Sequence, residues 1–139
     1  MAMSNLFKGR LLGAMLDGAT VQGILMASGF VFNIDTHDGY ANISANELAN
    51  GNGYTTGGAT LAGYALAVDD VNDRADATWS NIVWTAAGGS IGPSPALVLF
   101  IDSDTVTPDV NIGDVPFGSD QTATDGGTFT VSNPTVRIV

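Results

Sequence analysis

The run Pro95-Ala96-Leu97-Val98-Leu99-Phe100-Ile101 contains no polar side chain. A short strand that is apolar at every position is typical of a strand covered on both faces. We therefore place this run at the centre of the fold and expect the rest of the chain to be arranged around it.

On either side of this run, apolar and β-branched segments alternate with turn residues. The predicted strands are Thr20–Phe32, Ala59–Val68, Arg74–Thr85, Val110–Val115, Thr128–Val131 and Thr135–Val139. Turns are predicted at Thr105–Pro108, Gly113–Gly118 and Asp125–Gly127. Several short strands separated by turns favour an all-β fold over alternating strands and helices. The sequence predicts a mainly β, single-domain antiparallel β-sandwich, jelly-roll-like in type.

A short helix is predicted at the N-terminal side, over Ser4–Asp17. Its apolar residues recur at helical spacing, Ser4 can cap its start, and Gly18 can end it. These residues are Leu6, Phe7, Leu11, Leu12, Met15 and Leu16. We expect residues 1–18 to form a helix or an arm and residues 19–139 the sandwich body, within one domain over 1–139.

The segment Asn33–Asn50 is polar and is predicted to form a long surface loop. Within it, Ser44 followed by Glu47 fits a capping box, which predicts one helical turn. The glycine-rich stretch that follows, Asn46–Gly63, is typical of tight turns, and Gly51 and Gly53 are predicted to have positive φ.

The charge balance limits the function. Four basic residues face fourteen acidic ones, for a formal net charge of -10. Binding to nucleic acid or to an anionic membrane depends on lysine and arginine, so neither is expected. The chain has no cysteine, no apolar run near the roughly 20 residues of a membrane helix, and no signal-peptide pattern. We expect a soluble protein made in a cytoplasm.

Residues capable of chemistry are few. His37 is the only histidine and is flanked by Asp35 and Asp38, but no nucleophile motif accompanies it. A hydrolase centred on His37 and Asp35 is therefore the weakest hypothesis, and we expect no enzyme, no cofactor and no metal. An acidic cluster could supply oxygen ligands to Ca²⁺, but it lacks the pattern of an EF-hand and is interpreted as a solvated turn. Its members are Asp69, Asp70, Asn72, Asp73 and Asp76.

Six short motifs, taken in order, resemble a family of small proteins common in tailed bacteriophages. They are Asp35-Thr-His37, Ala45-Asn-Glu-Leu48, Gly51-Asn-Gly-Tyr-Thr-Thr-Gly-Gly-Ala-Thr-Leu61, Asp76-Ala-Thr-Trp-Ser80, Phe117-Gly-Ser-Asp-Gln121 and Thr128-Phe-Thr-Val131. The resemblance covers nearly the whole chain. It implies a virion component, specifically a capsid decoration (cement) protein that binds and stabilises the lattice of the major capsid protein.

The resemblance also implies the partners. They are the major capsid protein and neighbouring copies of this chain, so a homo-oligomer on the capsid surface of the virion is expected after synthesis in the host cytoplasm. A cement protein has to stay soluble while free and then bury apolar surface against its neighbours.

Candidate partner-binding residues follow from that picture. The apolar anchors are Leu6, Phe7 and Leu11, next to Leu12, with an exposed aromatic residue, Tyr54 or Trp79. Lys8 and Arg10 hold two of the four basic charges and are expected to face an acidic neighbour, with the N-terminal segment as an arm exchanged between subunits. The alternative is that the helix stripe fills the monomer's own core.

A second hypothesis is a phage tail or baseplate module that binds host-surface carbohydrate. In that hypothesis Trp79 and Tyr54 stack on sugar rings and nearby Asp and Asn side chains donate or accept hydrogen bonds. The odd separation of Trp79 and Trp84 would put them on opposite faces of one regular strand, so one is expected in the core and the other in an interface or loop contact unless a bulge intervenes.

Overall fold

The apolar run over residues 95–101 lies in the central part of the largest sheet. The structure is a computed structural model that describes residues 1–103 and 109–139. The helices are α1 (Asn5–Leu16) and α2 (Tyr40–Ile43), followed by a 3-10 turn (Ser44–Asn46). The strands are β1 (Thr20–Leu25), β2 (Ala59–Thr60), β3 (Ala65–Asp69), β4 (Arg74–Thr78), β5 (Ile82–Thr85), β6 (Ile91–Asp102), β7 (Val110–Ala123), β8 (Thr128–Val131) and β9 (Thr135–Ile138).

Strand β6 is covered on both faces, as the sequence predicts. The largest sheet has the order β2-β1-β6-β7 and is antiparallel throughout. Leu97 and Leu99 point into the larger apolar cluster, whereas Val98 and Phe100 point to the other face. There a smaller cluster with Ile24, Met26 and Ile43 is packed against Phe30, Phe32 and Tyr40.

The other strands form two smaller antiparallel sheets, β3-β4-β9 and β5-β8. Their buried side chains join those of β1 and β6 in the larger cluster. The predicted mainly β, single-domain sandwich with a short N-terminal helix is confirmed. Within residues 1–103 and 109–139 the strands form sheets of four, three and two strands, whereas a jelly roll has eight strands in two sheets.

Helix α1 begins and ends where the sequence predicts. The Ser4 hydroxyl accepts a hydrogen bond from the Phe7 N–H, and Gly18 follows the helix with a φ of 73°. The helix packs on β3 and β4. It does so closely through its glycines, because a Cβ on Gly9 would lie only 2.7 Å from Val68 Cγ2.

Two predicted strands are each divided in two. Ala59–Val68 forms β2 and β3 with a left-handed Gly63 between them, and Arg74–Thr85 forms β4 and β5. Trp79 therefore lies just beyond β4 and Trp84 lies within β5, so the alternation of one strand does not apply to them. Both tryptophans are buried, and the prediction that only one belongs to the core is wrong.

The remaining boundaries differ in smaller ways. Strand β1 ends at Leu25 rather than Phe32, because a turn follows in which the Phe30 N–H bonds to the Ala27 carbonyl. The predicted turn Gly113–Gly118 is wrong, since it lies inside β7, where shifts in the β6–β7 register accommodate the extra residues. The turn at Asp125–Gly127 is confirmed. The predicted turn Thr105–Pro108 lies outside the described residues.

Candidate interaction surface

The aromatic residues proposed as surface anchors are inside the protein. Tyr54 is 2% exposed and Trp79 is 3% exposed, so the prediction that either offers an exposed contact is wrong. The Tyr54 ring packs near Trp84, at 5.7 Å between ring centroids, and Trp79 packs near Tyr64 at the same separation. Both rings belong to the larger cluster and stabilise the monomer.

Tyr54 is buried because a carboxylate satisfies its hydroxyl. The hydroxyl donates to Glu47 Oε1 at 2.6 Å and accepts from the Leu25 N–H at 3.0 Å. Glu47 also accepts from the Gly57 N–H at 2.7 Å and the Tyr40 hydroxyl at 2.7 Å. We call these groups the Glu47 cluster, and it fixes the glycine-rich loop against β1.

The same cluster explains why the predicted capping box is wrong. A helical turn is present over Ser44–Asn46, but the Glu47 side chain turns inward instead of bonding back to the start of that turn. Burial, and then the hydrogen bond to Glu47, raise the pKa of Tyr40 to about 12 and raise the pKa of Tyr54 further.

The glycines of the loop have the backbone role that the sequence predicts. Gly51 and Gly53 have φ values of 133° and 95°. A Cβ on Gly53 would lie 1.9 Å from the Thr85 carbonyl oxygen, so only glycine fits there.

His37 is held by aromatic packing. Its ring lies 5.5 Å from that of Phe30 and 5.6 Å from that of Phe32, and its Nδ1 accepts from the Asn33 N–H at 3.0 Å. Within residues 1–103 and 109–139, no hydroxyl group bonds to this histidine. Asp35 follows Asn33 in the same turn, where the Asn33 side chain accepts from its N–H. This geometry gives the hydrolase hypothesis no support.

Asp70, Asn72 and Asp73 of the acidic cluster form the β3–β4 hairpin turn, as interpreted from the sequence, whereas Asp69 ends β3 and Asp76 lies within β4. Asp69 accepts from the Asn72 side chain at 2.7 Å, and Asp76 accepts from Arg137 Nε at 2.7 Å. The hydrogen bond from Arg137 holds the pKa of Asp76 below its usual value. Arg74 Nε lies 3.2 Å from the carboxylates of Asp69 and Asp76, close enough for an ion pair although its hydrogen-bond geometry is poor. In the described part of the chain, no group of three or more His, Asp or Glu could hold a metal ion.

Helix α1 is different, because much of its apolar surface is open to solvent. Leu12 and Leu16 are buried, but Leu6 is 63%, Phe7 49%, Leu11 38% and Met15 59% exposed. The alternative that the stripe fills the core therefore holds only for Leu12 and Leu16. Phe7, Leu11 and Met15 follow one another at intervals of four residues and form a row that we call the outer face of α1.

The two basic residues of α1 have different surroundings. Lys8 is buried, and its ammonium group donates to the Asp73 carbonyl and to Asn5 Oδ1, so the prediction that it faces a neighbour is wrong. Asn5 also donates to the Asp70 and Asp73 carboxylates, at 3.2 Å each. Arg10 is exposed, and no hydrogen bond or ion pair ties it to the described residues. The helix thus packs on its own chain, with one cation directed outward.

A groove runs along one flank of α1. It is lined by Leu6, Gly9, Arg10, Gly13 and Asp17 from the helix and its C-cap, and by Leu66 and Val68 from β3. Because β3 is at the edge of its sheet, we call this feature the edge groove. It lies beside the outer face of α1.

Sequence reasoning missed three side chains here. They are Met15 on the outer face of α1, and Leu66 and Val68 in the edge groove. The available signal is the spacing of Gly9 and Gly13, which share one face of the helix with Leu12 and Leu16. That spacing marks the face that packs closely, and so marks Phe7, Leu11 and Met15 as the opposite side.

Comparison with known proteins adds no assignment: no family model, curated protein or solved structure matches this chain. In the described residues, no helix is both long and apolar enough to cross a bilayer. The chemistry of the α1 surface is therefore the basis for a functional proposal.

Proposed function

We propose that this chain is a non-enzymatic bacteriophage structural protein, a capsid decoration (cement) protein that binds the major capsid protein lattice through the outer face of α1. One observation carries the proposal: a row of large apolar side chains is exposed on a helix that contains no acidic residue. Elsewhere the chain is strongly acidic, with fourteen acidic residues in 139. The motif resemblance described above supports the same class.

The outer face suits a contact that is modest in each copy and repeated many times. Full burial of a Leu, Met or Phe side chain is worth roughly 1.5–3 kcal/mol, and these three are about half exposed when free. Completing their burial would contribute on the order of 1 kcal/mol each. A cement protein gains its effect from many such contacts over a lattice.

The charge distribution favours α1, rather than the rest of the body, as the region that contacts a partner. Acidic groups over the body keep free copies apart, whereas α1 carries Arg10 and no carboxylate between Asn5 and Leu16. A capsid surface with an apolar patch bordered by acidic groups would complement this region. Such a partner would contact α1 first and the rest of the body weakly.

The alternative of a carbohydrate-binding tail or baseplate module has lost its proposed site. Stacking on a sugar ring requires an open aromatic face, and both Tyr54 and Trp79 are enclosed in the larger cluster. Nothing at the α1 surface favours a glycan, because its exposed side chains are mainly aliphatic. We therefore keep only the capsid proposal.

The experiment is to count copies of this protein in purified particles of the phage that encodes it. Quantitative mass spectrometry against the major capsid protein should give hundreds of copies per particle, spread over the lattice. A count of a few copies would place the protein at the tail or the portal vertex and would contradict the proposal.

A further inference from the structure

We propose that a second copy of this chain occupies the edge groove, so that the free protein is a two-fold dimer joined through β3. In this dimer the β3 strands of two copies pair in antiparallel fashion and continue the sheet from one copy to the other. Arg10 of each copy faces Asp17 of the other. The proposal concerns the protein in solution and does not require capsid binding.

The first argument is that β3 is an unprotected edge. Within residues 1–103 and 109–139 it pairs with β4 alone, and Ala65, Leu66, Ala67 and Val68 are all exposed. Natural edge strands are usually blunted by lysine, proline, a bulge or a covering segment. The sequence Ala-Leu-Ala-Val-Asp contains no lysine or proline, and its register with β4 has no bulge. It is therefore able to accept another strand.

The second argument is that the two faces of β3 are suited to such pairing. Leu66 and Val68 point to the side on which α1 packs, where they lie next to Gly13 and Gly9. An added strand would continue this apolar face and cover both side chains. On the opposite face of the sheet, Ala67 is the cross-strand neighbour of Asp76, and its small side chain leaves space at the edge for the side chains of an added strand.

The third argument selects the second copy as the occupant. Arg10 and Asp17 both line the groove on the same flank of α1, seven residues and roughly 10 Å apart along the helix axis. A two-fold axis perpendicular to the joined sheet reverses the helix direction, so Arg10 of one copy meets Asp17 of the other. A two-fold interface forms each contact twice, which here gives two opposite-charge pairs. The charges that line the groove of one copy are thus complementary to those that line the groove of the other.

The same axis keeps both α1 helices on one side of the joined sheet. The outer faces with Phe7, Leu11 and Met15 are not used in the pairing and remain available, whereas Arg10 is directed to the other copy. Two copies would then present two outer faces together, which raises avidity for any repeated surface.

Sedimentation equilibrium of the full chain at 0.15 M salt tests the dimer, since distant acidic groups are screened there beyond about 8 Å. The wild type should form a dimer in the micromolar range. Arg10→Asp and Asp17→Arg should each raise the dimer Kd by about tenfold or more, because each turns two attractions into two repulsions. The double variant R10D/D17R should return the Kd to within about threefold of wild type, as in a double-mutant cycle.

A second pair of variants tests the strand edge itself. Ala67→Lys places a like charge from each copy near the two-fold axis and should abolish the dimer, while in the monomer position 67 is exposed and tolerates a longer side chain. The control is Thr135→Lys, which puts the same residue on β9 at the other edge of the same sheet and should leave the dimer unchanged.

The contradicting results are distinct from those for the capsid proposal. A wild-type chain that stays monomeric at several hundred micromolar, a double charge reversal that fails to restore pairing, or a dimer lost in T135K but kept in A67K would each overturn the inference. None of them would bear on the copy number in particles. Far-UV circular dichroism spectra that match the wild type, and a cooperative thermal unfolding transition in each variant, confirm that each one is folded; the midpoints themselves depend on dimerisation and need not agree.

Discussion

The Glu47 cluster and helix α1 both contain large side chains that sequence reasoning assigned to partner binding, yet the protein uses them in opposite ways. Tyr54 is enclosed because Glu47 and the Leu25 N–H satisfy its hydroxyl. Phe7 and Leu11 are exposed because α1 packs through Gly9 and Gly13 on its other side. Residue type alone therefore does not determine whether a side chain is buried. The surrounding residues determine it, through the hydrogen-bond partners they supply and the face of the element that they pack against.

The largest expected effect is at Gly53, in the loop that the Glu47 cluster fixes. Gly53→Ala adds a Cβ that would collide with the Thr85 carbonyl at a residue with φ of 95°. We expect a loss of roughly 3 kcal/mol or more in the free energy of unfolding. Urea titration measures it.

Gly29→Ala is the matched control for this change. Gly29 also has a positive φ, 86°, but a Cβ there meets nothing within 4 Å. Its cost should be about 1 kcal/mol, from backbone strain alone. Equal losses in the two variants would contradict a role for close approach at Gly53.

The next largest expected effect is a difference in stability between alanine variants of two adjacent leucines of α1, Leu12 and Leu11. Leu12→Ala removes a buried side chain and should cost about 2.5 kcal/mol of stability, because it leaves a cavity in the larger cluster. Leu11→Ala removes an exposed one and should cost about 0.5 kcal/mol or less. Thermal or urea unfolding of both variants decides it, and similar losses would mean that the helix is packed differently.

A smaller effect is expected from Tyr54→Phe. The ring stays, but Glu47 loses one donor and the buried Leu25 N–H loses its acceptor. The free energy of unfolding should fall by about 2 kcal/mol. Tyr64→Phe is the control, since the Tyr64 hydroxyl lies near the Asp17 carboxylate, outside the Glu47 cluster, and makes no well-formed hydrogen bond with the described residues; a loss as large as that of Tyr54→Phe would count against the cluster.

The smallest effect is a dependence on alkaline pH. The pKa of Tyr40 is raised from an ordinary value near 10 to about 12, so the folded chain holds this proton more tightly than the unfolded chain. The resulting stability is complete below pH 10 and is lost as the pH rises towards 12. Urea unfolding between pH 8 and 11 should show the decline, with a shallower one in Tyr40→Phe. Parallel curves would show that Tyr40 does not contribute.

Much of the fold can be predicted from local patterns. The apolar run at residues 95–101 marks a strand covered on both faces, and Ser4 with Gly18 marks both ends of α1. These signals depend on neighbours in sequence. The missed breaks, at Gly63 and between Thr78 and Ile82, depend on contacts with distant residues, such as the Trp79 N–H bonding to the Pro134 carbonyl.

The candidate site is predictable only in part. The sequence marks Phe7 and Leu11 as apolar positions on a helix, and only the spacing of Gly9 and Gly13 indicates which side of α1 meets the body. That depends on β3, whose Leu66 and Val68 lie more than 50 residues further along the chain. For the same reason the inward turn of Glu47 is not apparent beside a plausible capping box.

The central claim is that the outer face of α1 binds the capsid, and occupancy of particles tests it most directly. Particles lacking this protein are mixed with the wild type, with the double variant Phe7→Ser/Leu11→Ser, or with Val31→Ser as a control. Val31 is also exposed, but it lies in the loop over the other face of the largest sheet. We predict that the double variant loses at least about tenfold in affinity while V31S binds like the wild type. Undiminished binding by the folded double variant would contradict the account.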